Sequence, residues 1–260
     1  MDGVRKASAH DIVFQAREGS PELNCCSVNG ARGFGMISDW ALMSGQDGLI
    51  LNWYGPSTIT TRLVSGTRVT LTQETDYPRE GLVRLTVTAG RSEQFTLKLR
   101  IPHWSRTTTL RVNGQTVNSV TPGRYFALDR RWHRADAIEI EFDFSLHCWA
   151  GERECAEKVS LYRGPILLTY DRQFNEMDPD QVPLLDAAVL SGKLTVPATW
   201  LPPMLLVELA ATDGRPVRLC DFGSAGAGGS PYRSWLEVKG VIKSEFSQNN
   251  PLRTSRARPG

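Results

Sequence analysis

Two adjacent cysteines, Cys25 and Cys26, are the side chains of this sequence best suited to chemistry. Ser27, a residue type that favours helix N-caps, follows them, and apolar residues then recur at helical spacing. The sequence therefore predicts a helix over about 27–43 that ends at Gly45. A thiol at a helix N-terminus meets unpaired backbone N–H groups and the positive end of the helix dipole, and both favour the thiolate. Because the thiolate attacks electrophiles and binds zinc, the pair is a candidate nucleophile or metal-ligand site.

The same pair has a structural alternative, because free cysteine is among the most buried residue types and most cysteines act as small hydrophobes. A disulfide between adjacent residues is disfavoured, since neighbours rarely reach the required dihedral angle without strain. Cys148, Cys155 and Cys220 are scattered over strand-like and loop-like segments, and we expect each of them to be a packing residue or incidental to function. Five cysteines at irregular spacing do not suit a disulfide scaffold, so we expect reduced thiols in a reducing compartment.

Composition is typical of soluble globular proteins. The 260 residues are 40% hydrophobic and 22% charged, which suffices for one large domain or two modest ones. The formal net charge of +2 is too small to indicate nucleic acid or an acidic membrane as a partner. No apolar run reaches the length of a membrane span, and the first residues lead into no apolar stretch typical of a secretory signal. The expected location is therefore cytoplasmic.

From residue 47 onwards apolar and polar residues alternate with period 2, for example over 95–101. Asn113-Gly114 is a strong hairpin signal, and turn signals recur often enough to predict an antiparallel β-sandwich. The predicted division is a loop and helix over 1–46, a β-sandwich over 47–150, a second β-rich region packing on it over 151–240, and a disordered tail over 241–260. Within the second region, the Gly-, Ala- and Ser-rich stretch 223–229 predicts a flexible loop.

Several fragments resemble one enzyme family, in one order along the chain. The run from Cys25 to Arg32, Cys-Cys-Ser-Val-Asn-Gly-Ala-Arg, resembles the Cys-Cys-Pro-Pro-Asn-x-x-Arg signature of the β-L-arabinofuranosidase-like glycoside hydrolases, glycoside hydrolase family 127 and relatives. The fragments that resemble later elements of this family are residues 72–78, 99–104, 112–114, 131–132 with 136–140, 163–166 and 232–236. Their collinearity makes the combination specific.

This resemblance implies a fold, a chemistry and a cofactor. The family carries its chemistry in an (α/α)6 barrel followed by β-sandwich domains, so the implied fold is mainly β, preceded by one helix left over from such a barrel. Cys25 corresponds to the nucleophile, which also contacts zinc, and Cys26 corresponds to a zinc ligand. The implied reaction is retaining hydrolysis of β-L-arabinofuranosyl or similar terminal sugars through a thioglycosyl intermediate. The implied partner is a carbohydrate, and a homodimeric state is left open.

The chain also departs from the family pattern. Ser27-Val28 replaces Pro-Pro, and no Glu-x-Cys element, which supplies two further zinc ligands in the family, occurs before Cys25. Glu18 and Glu22 match neither that element nor the family's general acid/base glutamate. We therefore expect a C-terminal portion of a glycosidase that is inactive as an isolated chain, with zinc expected in full-length members of the family.

Two alternatives stay open. The first is a non-catalytic β-sandwich that binds carbohydrate or supports another subunit, with the cysteine pair as a relic. The second is a zinc-binding or redox module. Other residues that we considered for the site are Glu152, Glu154, Asp178, Asp180, His10, His103, His133, His147, Trp104, Trp132, Trp149 and Trp200. We expect the acids to be solvated, the other histidines to be structural and the tryptophans to fill core or seams. His10 is close to the cysteine pair in sequence and is a candidate to line the sugar site.

Overall fold

The computed structural model of the chain describes residues 4–6, 25–186, 190–195, 197 and 202–240, with residues 4–6 and 25–28 described by their backbone alone. The chain divides into two compact units, Asp11–Phe144, and Met1–His10 together with Ser145–Gly260. We call them the N-terminal unit and the C-terminal unit. The predicted disordered tail over 241–260 lies outside the described residues.

The described chain is mostly strand. Its helix and strands are, in chain order, β1 (Val4–Lys6), α1 (Cys25–Ala41), β2 (Leu42–Gly45), β3 (Gly48–Leu51), β4 (Ser57–Arg62), β5 (Arg68–Thr75), β6 (Leu82–Ala89), β7 (Glu93–Arg100), β8 (Thr109–Val112), β9 (Gln115–Val117), β10 (Tyr125–Trp132), β11 (Asp136–Glu141), β12 (Leu146–Ala150), β13 (Lys158–Arg163), β14 (Ile166–Asp171), β15 (Leu185–Asp186), β16 (Gly192–Thr195), β17 (Leu206–Ala210), β18 (Pro216–Asp221), β19 (Pro231–Arg233) and β20 (Leu236–Lys239). Short 3₁₀ turns lie at Arg153–Cys155, Arg172–Phe174, Pro179–Gln181, Phe222–Ser224 and Ala227–Gly229.

The strands of the N-terminal unit form two sheets of a β-sandwich. One sheet has the order β10-β7-β3-β2, and the other has the order β4-β5-β6-β11-β8-β9. Strands β3 and β7 pair in parallel, from Gly48↔Thr96 to Leu51↔Leu99. Along β6 every second residue, starting at Val83, is buried, as expected for a strand with one face on a core. This alternation is the pattern that the sequence predicts.

The core of the N-terminal unit is apolar and aromatic. Trp132 is fully buried, donates its Nε1–H to the carbonyl of Phe95 at 2.8 Å, and stacks on the Phe95 ring at a centroid distance of 5.5 Å. A large apolar side chain buried in this way contributes about 1.5–3 kcal/mol. The other buried side chains of this core are Leu49, Leu51, Tyr54, Val69, Leu71, Val83, Leu85, Val87, Ala89, Leu97, Leu99, Leu110, Val112, Leu128, Ile138, Ile140 and Phe142.

The predicted hairpin at Asn113-Gly114 is confirmed. These two residues have positive φ angles of 50° and 79°, and they join β8 to β9 with Val112 opposite Gln115. Two consecutive residues of positive φ form the turn whose twist matches that of the flanking strands, and Asn-Gly is the dipeptide that adopts it most readily.

The C-terminal unit is built on one ten-stranded sheet. Its main order is β15-β20-β13-β14-β18-β17-β16, with β12 beside β13 and with β19 pairing both β1 and β14. An isolated bridge between Leu185 and Ala211 links β15 to the residue after β17, so the sheet curls back on itself. The buried side chains of its core are Val159, Leu161, Ile166, Leu168, Tyr170, Leu185, Leu205, Val207, Leu209, Ala211, Val217, Leu219 and Leu236.

The mainly β fold class is confirmed, and α1 is the single α-helix of the described residues. The helix begins at Cys25 rather than Ser27 and ends at Ala41 rather than near Met43. The early end has a physical reason, because Leu42–Gly45 pairs with β3 as a strand. No helix in the described ranges has the length and apolarity that a membrane span requires.

Candidate active site

Helix α1 carries the two candidate cysteines in its first turn, since the helix begins at Cys25. The first four backbone N–H groups of an α-helix have no acceptor within the helix, and the positive end of the helix dipole lies there. The sequence predicts a helix that begins at about Ser27, after the cysteine pair, but the helix begins two residues earlier, at Cys25. The argument for thiolate character is unchanged, because it applies to the first turn. The side chains of Cys25 and Cys26 lie outside the described part of the chain, so their roles stay predictions.

Zinc is the metal that the resemblance implies, and a structural or catalytic zinc site draws three or four ligands from cysteine, histidine and carboxylate side chains. Two adjacent cysteines supply donors of the right chemical type. Among the residues with described side chains, no three His, Cys, Asp or Glu side chains lie close enough together to hold a metal ion. The two cysteines of α1 are therefore of a type that fits zinc, and they amount to half of the donors that a four-coordinate site needs.

Beyond its first turn, α1 is largely exposed. The predicted apolar face contains Gly33, Phe34, Ile37, Trp40 and Ala41, but only Ala41 is buried. The side chains of Phe34 and Trp40 are 78% and 50% exposed. Large exposed apolar side chains that cluster on one element are typical of a contact surface for another protein segment or a ligand.

Asn52, directly after β3, fixes the C-terminal end of α1 to the sandwich. Its backbone N–H donates to the carbonyl of Ala41 at 2.9 Å, and its side-chain Nδ2 donates to the carbonyl of Trp40 at 3.1 Å. Nδ2 also lies 2.9 Å from the Sδ atom of Met43, and the hydroxyl of Tyr125 donates to Oδ1. Because the last carbonyls of a helix lack donors within the helix, Asn52 supplies two of the missing partners.

The candidate acids outside α1 are surface groups. Glu152 and Glu154 are exposed. Asp178 lies 3.6 Å from Arg172 and Asp180 lies 2.8 Å from Arg233, while both carboxylates stay well exposed to solvent. Ion pairs of this kind contribute little to stability and are typical of a solvated surface. The expectation that these acids are hydrated loop residues is therefore confirmed.

Most of the candidate histidine and tryptophan side chains with described positions pack against other side chains of the fold. His147 is buried and stacks on Tyr162 at a centroid distance of 5.7 Å. Trp132 lies in the core, and Trp104 makes an edge contact with Phe144 at 5.3 Å. Two further candidates, His10 and Trp200, lie outside the described residues.

A cavity of about 160 Å³ lies beside the turn between β2 and β3. Glu93 lines it, and its Oε2 accepts hydrogen bonds from Thr67 and from Arg91 Nε at 3.4 Å. Hydrogen bonds from Ser65 and Thr67 hold the pKa of Glu93 below its ordinary value. Because these groups bind one another, the cluster stabilises its own loops and points to no ligand.

Two buried carboxylates that the sequence did not single out organise the loops of the C-terminal unit. Asp221 accepts hydrogen bonds from the backbone N–H of Ser224 at 2.9 Å and of Met204 at 2.7 Å. Asp171 accepts one from the backbone N–H of Gly226 at 2.7 Å. These carboxylates bind backbone groups of the stretch 223–229, which overlaps 3₁₀ turns at Phe222–Ser224 and Ala227–Gly229, and its predicted flexibility stays a prediction. Their role is structural.

Cys220 lies in β18, and its thiol is fully buried. Burial, together with the negative charges of Asp171 and Asp221, raises the pKa of this thiol to about 12. A thiol in this state is neutral at physiological pH and unreactive. The expectation that Cys220 is a packing residue is therefore supported by its surroundings.

Comparison with known proteins finds a family domain that is similar to the sandwich. Residues 48–144 match the family model of the β-L-arabinofuranosidase, GH127 middle domain. A search of the curated proteins found no match. The matched stretch begins at the first residue of β3 and ends at Phe144, where the N-terminal unit ends.

Three solved structures are similar to the chain. A GH127 β-L-arabinofuranosidase from Geobacillus stearothermophilus T6 has a TM-score of 0.69 at 25% identity, over 83% of this chain and 38% of that one. A protein described as a glycoside hydrolase has a TM-score of 0.70 at 25% identity, over 88% of this chain and 43% of that one. A GH127 β-arabinofuranosidase has a TM-score of 0.70 at 23% identity, over 83% of this chain and 39% of that one.

The chain thus spans about two fifths of the length of the structures that it matches. The sandwich sheets and the family model cover the same stretch, and the sequence fragments 72–78, 99–104, 112–114 and 131–140 lie within it. The chain is therefore similar to glycoside hydrolase family 127 and to its β-L-arabinofuranosidases, with residues 48–144 matching the model of the family's middle domain.

Proposed function

We propose that this chain is the C-terminal portion of a retaining glycoside hydrolase that acts on β-L-arabinofuranosyl or related terminal sugars, with Cys25 as its nucleophile. One observation carries the proposal. Helix α1 begins at the cysteine pair and continues through β2 directly into the GH127 middle domain. The activity of the Geobacillus relative, a β-L-arabinofuranosidase, supports the choice of sugar.

The chemistry follows from a thiolate nucleophile. In the first step the Cys25 sulfur attacks the anomeric carbon, a carbon–sulfur bond forms, and the bond to the leaving-group oxygen breaks. That oxygen takes a proton from a general acid, which the resemblance assigns to the family's helical barrel. In the second step water attacks the same carbon, the sulfur leaves as thiolate, and the water's proton returns to the base. Two inversions give overall retention of configuration.

Cys26, with Cys25 beside it, is the residue that we propose to hold zinc. When bound, zinc keeps a coordinating thiol deprotonated at neutral pH. The remaining ligands are proposed to come from the helical part of the enzyme, as the resemblance implies.

The exposed face of α1 supports a second part of the proposal. Phe34 and Trp40 present large apolar surfaces that the N-terminal unit leaves uncovered in its described residues. We propose that other barrel helices cover this face in the active enzyme. The 260-residue chain is then inactive alone, because it lacks the acid/base glutamate and half of the zinc ligands.

The test is hydrolysis of p-nitrophenyl β-L-arabinofuranoside by the protein translated from the complete coding region, with the 260-residue chain assayed beside it. We expect turnover by the complete protein alone. Cys25→Ala should lower kcat by about ten-thousandfold or more, the range seen when a nucleophile is removed. Cys26→Ala should lose zinc, measured by metal analysis, together with most activity.

Cys155→Ala is the matched control, since Cys155 lies in a surface turn of the C-terminal unit. Its activity should equal that of the wild-type protein. Undiminished hydrolysis by Cys25→Ala would reject the nucleophile assignment, and absence of hydrolysis of any pentofuranoside by the complete protein would reject the activity.

A second candidate function is carbohydrate binding without catalysis. The observation that favours it is the exposure of Trp53 and Tyr125 near one edge of the sandwich, at 45% and 50%. Aromatic rings with an exposed face are suitable for stacking on sugars. Retention of the Cys25→Ala, Cys26→Ala double variant on an arabinan affinity gel, with loss of retention in Trp53→Ala, would support this function.

A further inference from the structure

We propose that Asn52 is a positioning residue, which sets the angle of α1 relative to the four-stranded sheet and thereby the location of Cys25. The inference rests on the proposed function for its link to catalysis. That Asn52 sets the angle of α1 is argued from contacts within the N-terminal unit alone.

The contacts of Asn52 use the whole side chain. Nδ2 donates to the carbonyl of Trp40 and to Met43 Sδ, while Oδ1 accepts from the hydroxyl of Tyr125. A primary amide has two N–H donors and one carbonyl acceptor group, and all are engaged here. Aspartate lacks the donors and leucine lacks both functions, so asparagine is the side chain that fits this combination. We call Asn52 and Tyr125 the helix clamp.

Both parts of the helix clamp belong to a firmly paired sheet. Tyr125 is the first residue of β10, which pairs with β7 along its full length from Tyr125↔Arg100 to Trp132↔Glu93. Asn52 follows β3, whose last residue pairs with Leu42 of β2 on one side and with β7 on the other. The helix clamp therefore attaches the C-terminal end of α1 to strands whose positions are fixed by their own pairing in the sheet.

The rest of α1 offers few other constraints. In the stretch with described side chains, residues 29–35 and 38–40 are exposed, and only Ala41 is buried. A Cβ added to Gly30, Gly33 or Gly35 would meet nothing within 4 Å. Within the described residues, the orientation of the helix is thus determined at its C-terminal end.

The length of the helix makes this end important. Its 17 residues span about 25 Å at a rise of about 1.5 Å per residue. A tilt of about 10° at the clamp would move the first turn by about 4 Å at that length. A displacement of about 1 Å in a reacting group can cost about a hundredfold in rate. In the 260-residue chain, a small loss of angular definition at Asn52 would therefore displace the first turn of α1, which contains Cys25, by more than that distance.

The experiment measures the distance between the free part of α1 and the sandwich by double electron–electron resonance. Spin labels are attached to p-acetylphenylalanine at positions 30 and 116, so the native cysteines need no change. Gly30 has open space around it, and Thr116 is an exposed residue of β9. The backgrounds are wild type, Asn52→Leu, Asn52→Asp and Tyr125→Phe.

Asn118→Leu is the control, because Asn118 is an exposed asparagine in the loop after β9. We expect one narrow distance distribution in wild type and in Asn118→Leu. We expect a clearly broader one in both Asn52 variants, and an intermediate one in Tyr125→Phe. If the distance distribution of Asn52→Leu or Asn52→Asp has the same width as that of the wild type, the proposal is overturned. This holds whether the distributions are all narrow or all broad. If Asn52→Leu fails to fold, the width of the distance distribution of Asn52→Asp alone tests the proposal.

The kinetic readout separates positioning from general stability. In the complete hydrolase, Asn52→Leu should lower kcat by about tenfold to a hundredfold with KM unchanged, because binding groups stay in place while the nucleophile moves. An unchanged kcat would overturn the link to catalysis. If the wild-type protein hydrolyses nothing, the proposed function fails, and the distance measurement still decides on the helix clamp.

Discussion

The carboxylate of Asp171 accepts a hydrogen bond from the backbone N–H of Gly226 at 2.7 Å, although 55 residues separate the two in sequence. The other oxygen of the carboxylate accepts from the hydroxyl of Ser230 and from the backbone N–H of Gln173. Asp171 is fully buried at the end of β14. One side chain therefore fixes the middle of the glycine-rich loop 223–229, and the residue that follows this loop, to the end of β14.

Asp171→Ala should destabilise the C-terminal unit. The variant leaves the buried N–H of Gly226 and the hydroxyl of Ser230 without their acceptor, which we expect to lower the free energy of unfolding by about 3 kcal/mol. Urea unfolding and hydrogen exchange of residues 222–230 measure the effect. Asp213→Ala, which removes an exposed partner of Arg215, is the control and should change little. Equal unfolding curves for the two variants would contradict this role.

Asp136 should make the stability of the N-terminal unit sensitive to acid. Burial by itself raises the pKa of this carboxyl, but hydrogen bonds from Asn113 Nδ2 and the His133 backbone, with the charge of Arg130, outweigh it and hold the pKa below its ordinary value. A lowered pKa in the folded state stabilises the protein above the unfolded-state pKa of about 3.9. That contribution is lost as the pH falls through the folded-state pKa.

The test is urea unfolding of wild type and Asp136→Asn at a series of pH values from about 7 down to about 2.5, across the range in which aspartate titrates. Wild-type stability should fall more steeply below about pH 4 than that of the variant, while the variant is less stable at neutral pH. Parallel pH profiles would show that Asp136 makes no such contribution.

Gly48→Ala should disrupt the sandwich where β3 meets β7. Gly48 has a φ of +151°, and an added Cβ would lie 2.1 Å from the carbonyl oxygen of Thr96. Relief of this clash requires backbone movement, so we expect a loss of about 3 kcal/mol in the free energy of unfolding. Gly33→Ala is the control, since its Cβ meets nothing within 4 Å and alanine favours a helix. A variant at Gly48 as stable as that control would contradict the packing described.

Cys220 should resist alkylation in the folded chain. Burial, with the charges of Asp171 and Asp221, raises the pKa of its thiol to about 12, so almost no thiolate exists near pH 8. Iodoacetamide followed by peptide mass spectrometry should modify the half-exposed Cys155 first and Cys220 only in urea. If Cys155 and Cys220 are modified at the same rate in the folded chain, β18 opens readily and the prediction is contradicted.

The sandwich could be predicted because its strands carry a local pattern. Alternation over 95–101 corresponds to β7, and Asn113-Gly114 specifies the turn between β8 and β9. Strand β4 could not be predicted in this way, since it lies at a sheet edge and its burial pattern includes no fully buried residue. Strand β10 carries three consecutive charged residues in its C-terminal half, Asp129, Arg130 and Arg131, so its alternation is weak.

The contacts that organise the candidate site could not be read from local pattern. Apolar residues predict a strand over 49–54, which gives no sign that Asn52 caps a helix ending at Ala41. The composition of 223–229 predicts flexibility, but Gly226 in this stretch donates its backbone N–H to Asp171, which lies 55 residues earlier in the sequence. Long-range hydrogen bonds of this kind leave no periodic signal.

The central claim is that the first turn of α1 presents Cys25 as a reactive thiolate. The most direct measurement is the pH dependence of its alkylation by iodoacetamide in Cys26→Ser, followed by peptide mass spectrometry in the folded chain and in urea. We predict that the labelling midpoint lies at lower pH in the folded chain than in the unfolded one, because the helix N-terminus stabilises the thiolate. A folded-state midpoint at the same or higher pH would contradict the claim.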